Sequence, residues 1–224
     1  IPDSVVSIGQ GTFAGCTSLT SITIPDSITS IGHYAFRQCS TLATVTIPNG
    51  VTSIGYGAFS GCTALTSITI PDGVISIGSF AFENCSALTA ITIPDSVVSI
   101  GQGTFAGCTS LTSVAVGYSV TNIGNYAFSG CSALTSINVH SSNPYFDSID
   151  GVLFNKSLTS LIQCPAGFSG AYAIPDGVTS IGDAAFLFCR SLTAVTIPAS
   201  VTSIGQGAFR VCSALASVTI PDGV

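Results

Sequence analysis

Isoleucine and valine alternate with serine and threonine in short bursts along this chain, and most bursts stop at a proline. In Ser21-Ile22-Thr23-Ile24-Pro25 the period of two predicts a strand, with Ile22 and Ile24 turned inward and Ser21 and Thr23 outward. Pro25 ends the strand because it has no N–H to give to a ladder, and Asp26-Ser27 makes a turn. Ile28 to Ile31 supplies two more inward positions before Gly32 redirects the chain, and Phe36, Cys39 and Leu42 close the unit.

The unit recurs. Cysteines stand at 16, 39, 62, 85, 108 and 131, and again at 189 and 212, with 23 residues between neighbours in each run. Phenylalanines keep the same step three places earlier, from Phe13 and Phe36 to Phe186 and Phe209. A period of this length is too short for a helix pair and suits one coil of a solenoid carrying one short parallel strand. One coil cannot bury its own apolar residues. Stacked at roughly 4.8 Å, each Ile covers the next Ile and each Phe the next Phe. No segment has the 3.6 periodicity of a long helix, so the outer side is expected to hold turns, short extended pieces and 3₁₀.

Residues 1–138 and 174–224 follow this beat, whereas 139–173 break it. Within the break, Ile149-Asp150-Gly151-Val152 is the signal of a two-residue hairpin, since Asp-Gly accepts the positive φ angles of a type I′ turn. A second turn at Asn155-Lys156-Ser157 leads to Leu158 and Leu161, and Cys164-Pro165 then stands where a regular unit would have Ile-Pro. The expectation is one continuous stack with an inserted hairpin. The chain begins and ends inside the same phrase, at Ile1-Pro2-Asp3 and Ile220-Pro221-Asp222, and reads as a piece of a longer protein.

Composition narrows the classes. With 46% hydrophobic and 6% charged residues among 224, there is apolar material for a core and too little charge for a disordered chain. The mean hydropathy is +0.67. Even so, Ser, Thr, Gly and Pro interrupt every apolar stretch before the ~18 residues of a spanning helix, so membrane insertion is not expected. A net charge of −6, with Arg37, Lys156, Arg190 and Arg210 as the basic side chains, removes the electrostatic basis for holding nucleic acid.

The phrases Ile-Pro-Asp-Ser-Val and Ile-Gly-x-x-Ala-Phe-x-x-Cys-x-x-Leu-Thr-Ser-Ile resemble the BspA-like leucine-rich repeat, over nearly the whole chain. The irregular unit from Asn143-Pro144-Tyr145 to Phe154-Asn155-Lys156 is similar to one that recurs in such proteins. Departures are Thr12 and Thr104 for Ala before Phe, and Val116-Gly117-Tyr118 in place of Ile-Pro-Asp. The resemblance implies a curved, horseshoe-like leucine-rich-repeat solenoid on secreted or cell-surface proteins of host-associated bacteria and some parasitic protists. Several members are regarded as adhesins for host matrix or plasma proteins. It supplies no family-wide binding residues.

Candidate chemistry is sparse. In a parallel stack the ladder cysteines face one another with parallel Cβ vectors, a poor geometry for disulfides, and zinc-type Cys/His spacings are absent; the thiols read as small buried hydrophobes. Cys164 falls off the ladder and is the candidate for reactivity. Asp3, Asp26, Asp72, Asp95, Asp176 and Asp222 recur after proline as an acidic row that serves turns or attracts calcium. His33 and His140 occupy different places in the unit and no nucleophile motif accompanies them, so neither catalysis nor a cofactor is expected.

What remains is surface. The outward strand positions, among them Thr23, Thr46, Thr69, Thr92 and Asn138, stack into a neutral, hydroxyl-rich face that serves β propensity, polar adhesion to a protein or glycan, or ice. Tyr34, Phe80 and Tyr126 share one position in alternate units; with Tyr56 they are partner anchors or filler between coils. Tyr118, Tyr145 and Phe146 complete the candidate partner-binding set, the last two on the inserted hairpin. The readings left open are an adhesin-like module for a host or matrix protein or glycan, and a structural spacer projecting another domain.

Overall fold

The computed structural model describes residues 1–224, and hydrogen bonds between successive coils form three separate ladders, each interrupted at the irregular segment 139–173. The first is the expected strand face. Ser21–Ile22, Thr44–Thr46 and Ser67–Thr69 pair in parallel, and Ala90–Ile93, Ser113–Val116 and Ser136–Val139 do the same, each residue opposite the one 23 later. The second ladder corrects the expectation of one strand per coil. Ser7–Ile8, Ser30–Ile31, Ser53–Ile54, Ser76–Ile77, Ser99–Ile100 and Asn122–Ile123 form a second parallel sheet. Two residues suffice, because the Ile of each points into the core and the backbone on either side has nowhere else to bond.

The third ladder lies on the outer side, where no 3₁₀ helix forms. Between regular neighbours an outer turn sends three N–H groups to the next coil, as with Tyr34 to the Tyr56 carbonyl at 2.8 Å, Phe36 to that of Ala58 at 2.7 Å and Gln38 to that of Ser60 at 2.7 Å. To aim them so, the first and last donors adopt left-handed backbone, as at Tyr34 (φ 57°), Gln38 (φ 59°), Phe80 (φ 59°) and Asn84 (φ 57°). Glycine takes the same places in the intervening coils, and the reason is steric as well. A Cβ at Gly57 would lie 2.8 Å from the Tyr34 ring, and one at Gly103 would lie 2.5 Å from the Phe80 ring. An aromatic on one coil thus requires a glycine on the next, which accounts for the alternation of aromatic and Gly at this position.

Between the ladders the side chains stack like on like. Phe36, Phe59, Phe82, Phe105 and Phe128 are fully buried, with ring centroids 5.1 to 5.7 Å apart and planes within 8° of parallel. The cysteines behind them are all free thiols. Each points its S–H at a phenylalanine carbonyl of the preceding coil, as in Cys62 to Phe36 at 3.2 Å and Cys131 to Phe105 at 3.1 Å. Burial pushes their thiols up, to about 12 at Cys62 and at Cys131.

The irregular segment forms its predicted hairpin. Phe146–Ile149 and Val152–Asn155 pair antiparallel with Ile149 opposite Val152, and Asp150 (φ 52°) and Gly151 (φ 76°) make the turn. Beyond the hairpin the chain departs from the expected alignment. Ser160–Gln163 joins the second ladder, with Leu161 opposite Ile181, and Ser169–Ala173 lies beside Ser191–Thr196 on the strand face. The Ile-Pro of this coil is therefore Ile174-Pro175, and Cys164-Pro165 lies where the outer turn of a regular coil would be. Cys164 is accordingly no exposed, reactive outlier. It is fully buried, its N–H bonds the Ala185 carbonyl at 2.7 Å, and its hydrogen bond with Cys189 followed by burial pushes its thiol far above the usual range.

Candidate functional site on the strand face

In-register stacking brings residues far apart in the chain onto one surface. Thr23, Thr46, Thr69, Thr92 and Asn138 are all exposed on the strand face, with Thr46 opposite Thr69 and Thr92, Ala115 and Asn138 in consecutive register. At the C-terminal ends of the Ala90–Ile93, Ser113–Val116 and Ser136–Val139 strands the surface sinks into a groove of about 630 Å³. Thr92, Ala115 and Asn138 line its floor, and Asp72, Asp95 and His140 are among its polar walls. A shallower depression of about 320 Å³ shares Asp72 and Thr92 with it and carries the surface on to Thr69.

The departure at Val116-Gly117-Tyr118 shapes this groove. Gly117 lines it, and an added Cβ there would lie 2.6 Å from the Pro94 carbonyl oxygen, so the tight approach of the two turns requires glycine. The Tyr118 N–H donates to Asp95 Oδ1 at 2.6 Å, which continues the acidic row as a backbone contact. The Tyr118 ring is 46% exposed and meets the His140 ring edge-on at 6.2 Å. The pair forms an aromatic rim beside two carboxylates and a row of small polar groups. No cluster of three His, Cys, Asp or Glu side chains suited to a metal ion occurs anywhere in the fold.

Tyr145 and Phe146 are held near this rim by a residue that sequence reasoning passes over. Asn143 is fully buried and uses both ends of its amide: Nδ2 donates to the carbonyls of Gly117 at 2.9 Å and Val120 at 3.0 Å. Its Oδ1 accepts from the N–H groups of Tyr145 at 2.8 Å and Phe146 at 2.9 Å. The signal for it is Asn-Pro at the start of the insertion, a turn-forming pair. Tyr145 is exposed, as a contact residue must be. Phe146 is not: it is half-buried and packs against the core, which removes most of its ring from any partner. Lys156 bridges Asp147 at 3.0 Å and the Ser141 carbonyl at 3.2 Å, bracing the hairpin.

Tyr34, Tyr56 and Phe80 sit elsewhere, on the turn face, with centroids 5.2 and 5.4 Å apart. The Tyr34 and Phe80 rings cover Gly57 and Gly103 of the following coils, and all three rings line a separate shallow pocket with Arg37 and Glu83.

Parallel two-strand coils with like residues stacked at a fixed 23-residue step define a leucine-rich-repeat solenoid. The chain belongs to the BspA type leucine-rich repeat family, whose model matches residues 1–86, 29–160 and 170–224. Solved relatives share the fold. A leucine rich cell surface protein of Faecalibacterium prausnitzii is 35% identical, with a TM-score of 0.71 over 99% of this chain and 68% of its own. A leucine-rich repeat protein of Bacteroides ovatus is 34% identical, with a TM-score of 0.71 over 96% of this chain and 58% of its own. One from Eubacterium ventriosum is 29% identical, with a TM-score of 0.76 over 89% and 59%. The chain thus spans about three fifths to two thirds of the length of these proteins. The pneumococcal vaccine antigen PcpA, at 21% identity and a TM-score of 0.73, shares the fold. Among curated protein sequences none matches.

Proposed function

We propose that this chain is a non-catalytic module of a cell-surface or secreted protein, and that it binds a host or matrix protein in adhesin-like fashion through the strand-face groove. The observation that carries the reading is the groove itself. It joins outward strand positions of three coils to an exposed Tyr118–His140 rim, and aromatic rims around small polar floors are the usual anchors of protein interfaces. Asp72 and Asp95 in the walls favour a partner segment with basic or amide side chains. The surface location is supported by the Faecalibacterium prausnitzii relative, itself described as a cell surface protein. A spacer would have no need of a recess that breaks the even face.

The test is binding to an immobilised panel of matrix and plasma proteins. Saturable binding that Tyr118→Ala and Asn138→Ala weaken about tenfold, with circular dichroism unchanged, is the expected result. Binding no stronger than that of a variant carrying Thr92→Lys, Ala115→Lys and Asn138→Lys removes the proposal and leaves the spacer role.

A further inference from the structure

Three consecutive outer turns place a small pair of residues between two large pairs. Tyr34 and Arg37 stand on the first turn, Gly57 and Ser60 at the same two positions on the second, and Phe80 and Glu83 on the third. With the middle turn stripped of bulk, a recess of about 280 Å³ opens between the flanking ones. Tyr56 lines it as well, and its N–H donates to His33 Nδ1 at 2.8 Å, so the ring is carried on a fixed turn.

The polar groups of the recess are oriented but not used up by one another. Glu83, the chain's sole glutamate, is half-buried, and the buried Ser60 hydroxyl donates to its Oε2 at 3.1 Å, leaving Oε1 without a partner. Arg37 is exposed, with Cζ 5.6 Å from the Tyr34 ring centroid. Its guanidinium makes no ion pair with Glu83; the fold's one ion pair joins Lys156 to Asp147. Opposite charges that line one recess thus stay apart, one offering donors and the other an acceptor. Between them the rings of Tyr34, Tyr56 and Phe80 run in a row, tilted by 66° and 59°, and Tyr56 is 38% exposed.

We propose that this recess is a glycan-binding subsite that takes one pyranose unit of a neutral sugar chain. Its volume lies just under the roughly 300 Å³ at which pockets for larger ligands begin, which suits one ring. A pyranose has an apolar C–H face and a rim of hydroxyls, each able both to donate and to accept. The exposed part of Tyr56 meets the apolar face. Hydroxyls at one edge donate to Glu83 Oε1, and those at the other accept from Arg37, in charge-assisted bonds stronger than neutral ones. Because the two charges cancel, an ionic sugar meets repulsion at one end, whereas a neutral one satisfies both. A zwitterion would match the charges too, but ion pairs at a solvent edge contribute little, and the rings call for a flat C–H face. The recess is on the turn face, so it stands independently of the reading given for the strand-face groove.

An NMR titration of the isotope-labelled full chain tests it, with methyl α-mannopyranoside, methyl β-galactopyranoside and methyl N-acetyl-β-glucosaminide as probes. At least one is expected to shift the amides of Tyr56, Gly57 and Ser60 saturably, with a Kd of about 1–10 mM. Tyr56→Ala and Glu83→Ala should each weaken that binding by about fivefold or more, with the rest of the amide spectrum unchanged. Tyr126→Ala, on an outer turn away from the recess, should leave it as it is. No saturable shift up to about 100 mM of any of the three sugars overturns the proposal. So do shifts that Glu83→Ala leaves intact, which would show contact with exposed rings alone. The zwitterion γ-aminobutyrate serves as the control: binding tighter than that of every sugar means that the recess reads end charges, and overturns the sugar assignment.

Discussion

Replacing Phe82 with Ala probes the stack at its middle. The ring is fully buried between Phe59 at 5.4 Å and Phe105 at 5.5 Å, with interplanar angles of 1° and 3°. Truncating a buried phenylalanine costs about 3–5 kcal/mol, from lost burial and the cavity left behind. The low end requires neighbours that collapse, and here both neighbours are pinned by outer-turn bonds of 2.7 to 2.8 Å on either side, so we expect the upper half of that range. Phe13 gives the contrast: it is half-buried and stacks on Phe36 alone at 5.3 Å, so Phe13→Ala should cost about 1–2 kcal/mol. Urea denaturation followed by circular dichroism measures both, and hydrogen exchange locates the loss. Because each coil contacts its neighbours alone, the exposed amides should be those of the coils on either side of position 82. A Phe82→Ala cost below about 1 kcal/mol, or no greater than that of Phe13→Ala, would refute the reasoning.

Other consequences are quicker to check. At pH 8 a thiol reagent should label Cys16, the exposed cysteine, far faster than the buried Cys62, Cys85, Cys108 and Cys131; equal rates would show that the ladder is open. Those thiols are raised on folding, so the folded chain holds protons that the unfolded one releases above about pH 9; stability should fall as pH rises from there to about 12, and a flat profile in urea melts would contradict their burial. Asn143→Asp should cost about 2–4 kcal/mol, because a carboxylate cannot donate to the carbonyls of Gly117 and Val120, and should loosen Tyr145 in exchange measurements. Tyr172→Phe removes a buried hydroxyl that has no partner and should be neutral or raise stability by about 1 kcal/mol in the same urea melts; a loss of 2 kcal/mol would reveal a hidden bond.

Most of the stack is legible in the sequence, and less of the site. The 23-residue step locates Phe36, Cys39 and Ile24 in the core because stacking places like residues in like surroundings, so the pattern and the packing are the same information. The Asp-Gly hairpin is legible because its turn is local. The second ladder is not, since Ser30–Ile31 is too short for periodicity to mark and owes its pairing to neighbours a whole coil away. Cys164 misleads for a related reason: Cys164-Pro165 mimics Ile-Pro, and the true register is fixed by Leu161 against Ile181, a contact beyond local reading. Of the candidate surface, Thr69, Thr92 and Asn138 follow from the strand pattern, whereas the recess and the Tyr118–His140 contact arise between coils. Phe146 reads as outward because no signal within the hairpin reports which side meets the core.

Positions 23 residues apart lie one strand spacing apart on a common face, and both the core and the candidate surface depend on that spacing. Spin labels in a Cys16→Ser background test it by pulsed dipolar spectroscopy, with one label at Asn138→Cys and the second at Thr46→Cys or Thr23→Cys. The account predicts about 19 Å for the first pair, four coils apart, and about 24 Å for the second, five coils apart. Broad distributions centred beyond about 40 Å, or a second distance no longer than the first, would contradict it.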